Sequence, residues 1–194
     1  MKRHLIASIL GIAAFVANVH GQGHIVFLTY GSALDPGVQV VWGDTTGGHT
    51  SGHAVTPTDG FYAELYYGLG SGLNFSQLTA LPSSVTQVGA FVPGYIVGNA
   101  VTLPNWTSGP VTFGIAAWNG SGYGLGTYAS LNNVTWTEPA SNISPLGAPA
   151  NVFTRDLLLA AFPNNLSVYP VPEPGTLALV GLGAAALRAF RRRQ

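Results

Sequence analysis

The chain has 194 residues, no cysteine, 26 glycines and 7% charged side chains, with a formal net charge of zero. Without cysteine there is no disulfide framework and no thiolate chemistry, and the length suffices for one hydrophobic core in one domain. The zero conceals a segregation: Lys2 and Arg3 open the chain and Arg188, Arg191, Arg192 and Arg193 close it, while over residues 22–170 Arg155 stands against Asp35, Asp44, Asp59, Glu64, Glu138 and Asp156, a net of −5.

That middle segment has no lysine. It therefore lacks the cationic footprint that nucleic acid requires, and nucleic acid is excluded as a partner. It is equally unsuited to anionic lipid, the basic end of the chain apart.

In chain order, Lys2 and Arg3 form a basic start and Leu5 to Val19 an apolar run, with Val19-His20-Gly21 offering acceptable residues for cleavage after Gly21. The expectation is a signal peptide over 1–21 and a mature core over 22–170; the alternative is an N-terminal membrane anchor. Runs rich in β-branched and aromatic residues then follow: His24 to Tyr30, Val38 to Trp42, Phe61 to Tyr67, Val85 to Phe91, Ala100 to Leu103, Val111 to Trp118 and Val134 to Thr137. In Phe61 to Tyr67 the single charge, Glu64, falls on one side of the alternation, so Phe61, Ala63, Leu65 and Tyr67 face a core. Gly, Pro and Asn clusters separate the runs, and Asp35-Pro36-Gly37 and Asp59-Gly60 read as turns. Thr154 to Phe162 has helical composition. The expected class is all-β: a single antiparallel β-sandwich or jelly roll, flanked by the signal peptide and a C-terminal hydrophobic helix.

Candidate chemistry is sparse. His49 and His53 lie four residues apart near Asp44 and Asp59, and a loop gathering them with a carboxylate would suit zinc or copper. The alternative is two solvated histidines in a turn rich in Gly, Thr and Ser. The acids lie singly in different segments, which argues against the paired carboxylates of glycoside hydrolysis. No Gly-x-Ser-x-Gly elbow occurs, and the Gly-x-Gly patterns at Gly68 and Gly122 lack a following helix. No cofactor is expected and the reading is non-enzymatic.

Aromatics are more informative. Trp42, Trp106, Trp118, Trp136, Tyr66, Tyr67, Tyr95, Tyr123 and Tyr128 either fill the core, their usual place, or stack on sugar rings from the surface. Trp106, in an Asn-Trp-Thr-Ser-Gly loop, is the expected exposed ring and the candidate glycan contact. Six Asn-x-Ser/Thr sequons (Asn74, Asn105, Asn119, Asn133, Asn142, Asn165) exceed the fewer than two that 11 asparagines and 29 Ser plus Thr predict by chance. They mark either glycan attachment or the polar habit of β turns.

The chain ends in three distinct pieces. Val171-Pro172-Glu173-Pro174-Gly175 is stiff and extended, because each proline fixes its own φ and biases the residue before it. Thr176 to Leu187, including Leu177, Leu179, Val180, Leu182 and Leu187, is uncharged and apolar. Arg188, Arg191, Arg192 and Arg193 then form a basic cluster that stays on the cytoplasmic side. As a helix, Thr176 to Phe190 reaches about 22 Å, short of a hydrocarbon core of about 30 Å. That length suits transient anchoring with Arg188 snorkelling.

This order of motif, apolar segment and terminal arginines resembles the PEP-CTERM sorting signal of bacteria that make extracellular polymeric matrix. The resemblance implies recognition of Pro172-Glu173-Pro174 and processing of the tail by an exosortase-type membrane protease. It implies an exported protein of the cell envelope, surface or matrix, held at the membrane by the tail until it is processed. A second resemblance covers the core. Phe61 to Gly68, Gly109 to Asn119 and Pro145 to Gly147 are similar to phrases in uncharacterised PEP-CTERM proteins of Verrucomicrobia-like bacteria. It implies a β-rich core and nothing catalytic; for the whole chain the expected role is structural or exopolysaccharide-associated, the alternatives being a carbohydrate-binding module that uses exposed aromatics and a metal-dependent enzyme.

Overall fold

The computed structural model describes residues 22–32, 35–131, 133–171 and Arg188. Residues 1–21, the expected signal peptide, and Pro172 to Leu187 and Arg191–Arg193 of the tail lie outside the described residues. No helix among the described residues is long and apolar enough to cross a membrane.

The two longest strands come from the two richest β sequences. β5 (Phe61–Leu69) and β9 (Val111–Asn119) pair antiparallel from Phe61↔Asn119 to Leu69↔Val111 and form the spine of a large sheet. Around them the order is β4-β14-β10-β9-β5-β6, built with β4 (Val40–Trp42), β6 (Thr79–Ala80), β10 (Tyr128–Ser130) and β14 (Leu166–Pro170). β11 (Thr135–Glu138) lies beside β10 on β9, and β7 (Thr86–Gln87) lies beside β6 on β5.

A smaller sheet centres on β1 (Gly23–Leu28), with β8 (Val97–Leu103) antiparallel to it, β12 (Ser144–Pro145) antiparallel and β13 (Asn151–Val152) parallel. β2 (Tyr30–Ser32) and β3 (Asp35–Gly37) form a separate hairpin. The single α-helix among the described residues is α1 (Arg155–Ala161), entered at Thr154 and closed at Phe162 as its composition predicts. The chain is thus mostly β.

One buried cluster joins the sheets. β1 contributes Ile25 and Phe27, β8 contributes Val101 and Leu103, and β5 turns in Phe61, Ala63, Leu65 and Tyr67, the face its alternation marked. β9 adds Val111, Phe113, Ile115 and Ala117. Phe113, Trp136, Phe153 and Phe162 meet mostly edge to face, with centroid separations from 5.2 to 5.9 Å, the geometry that ring quadrupoles favour. Beside them sits a carboxylate with no exposure, Glu138. It accepts from Trp136 Nε1 at 3.2 Å, Asn142 Nδ2 at 2.8 Å and the backbone N–H of Thr154 at 2.9 Å. Three donors on one carboxylate make its burial tolerable.

Three expectations are corrected. Trp106 is not exposed: it is 6% accessible, belongs to the main core and donates Nε1–H to Gly109 O at 2.9 Å. Its ring lies over Gly23, where a Cβ would come within 2.6 Å of Cε3, so a glycine in β1 makes room for it. Asp35-Pro36-Gly37 is a strand of the hairpin, not a turn. Val85 to Phe91 contributes only Thr86–Gln87 as strand, because Gly89 takes φ +77°, a left-handed conformation that ends pairing. Asp59-Gly60 does turn the chain, with Gly60 in the left-handed region after a short 3₁₀ turn.

Candidate functional site

Register assigns the outer face of the large sheet. Tyr62 pairs with Trp118 and Gln87, Trp118 pairs with Ala129, and Ala129 pairs with Tyr169, so Gln87, Tyr62, Trp118, Ala129 and Tyr169 cross the sheet in one row. The neighbouring residues on the same face are Glu64 opposite Ala116 and Tyr66 opposite Gly114. Gly114 carries no side chain because the Phe75 ring occupies that space; a Cβ there would lie 2.7 Å from Phe75 Cδ2. Phe75 in turn packs on Tyr66 with centroids 4.8 Å apart.

The loop 120–127 folds over this face. Tyr123 meets Trp118 edge on at 6.1 Å, donates its hydroxyl to Ser130 O at 2.8 Å and accepts from Asn133 Nδ2 at 2.7 Å. Tyr62 stays 39% exposed and Tyr123 36%. Asn133 Oδ1 is buried without a partner, as is His24 Nδ1 in β1.

Glu64 is the polar centre of the surface. Although it sits on the face that alternation assigned to solvent, it is 8% accessible. Burial raises its pKa above the ordinary carboxyl range, partly offset by a hydrogen bond from Tyr66. The Tyr66 hydroxyl is pushed up to about 12, first by burial and then by the Glu64 charge. The folded state therefore keeps a proton on Glu64 at pH values where the unfolded chain has released it, and stability declines as pH rises through the elevated folded value. Glu64→Gln is expected to raise the melting temperature at pH 8 and to leave it unchanged at about pH 3, where both states are protonated. Thermal melts at the two pH values check this; an equal gain at both would contradict the assignment.

The two histidines hold separate places. His49 stacks face to face on Trp42, centroids 3.4 Å apart and planes at 7°, with Tyr128 edge on at 5.8 Å. His53 is exposed on the same turn. The neighbouring carboxylates hold their own turns: Asp44 accepts from Thr46 N and Oγ1, and Asp59 from Thr56 N and Oγ1. Among the described residues no group of three His, Cys, Asp or Glu could hold a metal ion.

The sequons also divide. Asn119 accepts from Tyr128 N, Asn133 holds Tyr123, Asn142 donates to Glu138 and to Thr154 Oγ1, and Asn165 accepts from Gln39 N. These four side chains hold the structure together. Asn74 and Asn105 are exposed.

The junction with the C-terminal segment is direct. β14 lies within the large sheet between β4 and β10, and the next residue, Val171, donates its N–H to Thr127 O at 2.8 Å. Its side chain packs with Ala116, Trp118 and Ala129. Pro170 and Val171 line an open cleft of about 720 Å³ with Asn119, Gly120 and Gly124 to Tyr128.

Residues 170–193 match the PEP-CTERM protein-sorting motif. A protein carrying this motif is exported, passes through the membrane for sorting and is processed by an exosortase. The match covers the tail and not the β core. No curated protein and no solved structure matches the chain. The sorting motif thus begins where the sheet ends, with no linker between them.

Proposed function

We propose that the chain is an exported, non-enzymatic protein of the cell surface or extracellular matrix, its core a β-sandwich that associates with exopolysaccharide. The tail holds it at the inner membrane until an exosortase-type protease acts at Pro172-Glu173-Pro174. The observation that carries this reading is the sorting motif over residues 170–193. Replacing Pro172, Glu173 and Pro174 by alanine is expected to leave the chain unprocessed in the membrane fraction; unchanged processing would sink the sorting role.

The glycan contact proposed in place of Trp106 is the outer face. Tyr62 and Tyr123 offer exposed rings, the Tyr62 hydroxyl and the half-buried Gln87 amide offer hydrogen-bonding groups, and the charge on this face, Glu64, is buried. Neutral polysaccharide is recognised by that combination of ring stacking and hydrogen bonds. Tyr62→Ala with Tyr123→Ala is expected to weaken retardation of the protein in gels containing the producing strain's exopolysaccharide by about tenfold, equivalent to about 1.4 kcal/mol. Unaltered retardation, or none in the parent protein, would count against this surface.

A further inference from the structure

Three regions of the molecule carry chemistry that the sorting role leaves unused: a small groove beside Arg155, the uncharged edge of β8, and the loop over Trp118. The groove, about 100 Å³ among Tyr30, Val38, Phe153 and Leu158, is too small for more than a few atoms. Nothing on the β8 edge identifies what would pair with it. The loop has a neighbour fixed by chain length.

Val171 is bonded to the loop's own residue Thr127, so the loop and the tail leave the sheet at the same place. Thr176, where the apolar segment begins, lies five residues on from Val171. Fully extended they reach about 18 Å. With Thr176 to Leu187 anchored in a bilayer, the loop is held within that distance of the lipid surface.

Its composition fits such a position. Asn119 to Tyr128 contains no charged residue. Gly120 and Gly124 take φ of +86° and +74°, left-handed conformations that turn the chain sharply. Leu125, directly after Gly124, is 76% accessible, and Tyr123 keeps 36% of its surface exposed while its hydroxyl is held by Ser130 O and Asn133. The loop base is rigid, because Gly126 packs directly on the Asn119 backbone and Asn119 Oδ1 accepts from Tyr128 N. A single leucine holds a free protein to a membrane only weakly, but on a chain already tethered its insertion is an intramolecular step at high effective concentration.

We propose that, before processing, the loop Gly120–Gly126 docks on the bilayer, with Leu125 in the headgroup region. The proposal rests on the reading of the tail as a membrane anchor. It gives the β core a defined side toward the membrane before processing, with the loop that borders Val171 facing the lipid.

The chain has no native cysteine, so a single nitroxide can be placed at Leu125→Cys or, as an aqueous reference, at exposed Leu146→Cys between β12 and β13. The full chain is reconstituted in phosphatidylcholine vesicles, floated with them, and the label's accessibility to oxygen and to a water-soluble nickel chelate is measured. The expected result is a ratio of oxygen to nickel accessibility several-fold higher at position 125 than at 146. Equal ratios in chains that float would overturn the docking while leaving the anchor intact, and would leave the protease itself as the loop's partner. Chains that do not float would overturn the anchor and the docking together.

Discussion

Glu138→Ala is expected to destabilise the core by about 3 kcal/mol or more. The substitution removes the common acceptor of Trp136 Nε1, Asn142 Nδ2 and the Thr154 N–H in a place with no solvent exposure. Each buried donor left without an acceptor costs about 1–3 kcal/mol, whereas the bond itself contributes less than that. The loss should spread beyond β11, because Thr154 opens α1 and Asn142 ties the preceding 3₁₀ turn to the same carboxylate. Glu138→Gln keeps the shape and one acceptor oxygen and is expected to cost clearly less. Urea midpoints of the two variants decide the matter; equal, small losses would mean that the donors find other partners.

Phe113→Ala is expected to cost about 3–5 kcal/mol, as large-to-small changes at fully buried aromatic positions do. Phe113 is wholly buried at the point where β9 meets β11 and the segment entering α1, with its ring 5.2 Å from Phe153 and 5.9 Å from Trp136. The surrounding rings are held from several elements and collapse poorly into the space. The two substitutions should also couple. Trp136 touches Phe113 with its ring and Glu138 with its N–H, so the double variant is expected to depart from additivity by more than about 0.5 kcal/mol. A strictly additive pair would separate the carboxylate from the aromatic cluster.

Much of the β class was legible because long strands with one buried face leave a period-two signal. Phe61 to Tyr67 and Val111 to Trp118 carry it, and they became the spine of the large sheet. β10 and β14 left almost none: three residues among glycines, and five ending in proline. They are strands because neighbouring strands complete their ladders, which is a non-local fact. The hairpin strand Asp35–Gly37 has turn composition for the same reason.

At the candidate site, alternation placed Glu64 on the outer side correctly but not its burial, since the loop carrying Tyr123 lies sixty residues away in sequence. Trp106 was misread from its polar neighbours. What decides its place is Gly23, whose missing side chain leaves a seat for the ring. The tail was the most legible part, because its order of motif, apolar segment and arginines is carried by sequence alone.

The most direct test of the sorting claim is the intact mass of the native protein recovered separately from membrane, envelope and medium. The account predicts that the envelope or medium form lacks both the first 21 residues and the terminal arginines while retaining β14 through Pro170. A single form that keeps Arg191 to Arg193 and stays in the membrane would contradict it.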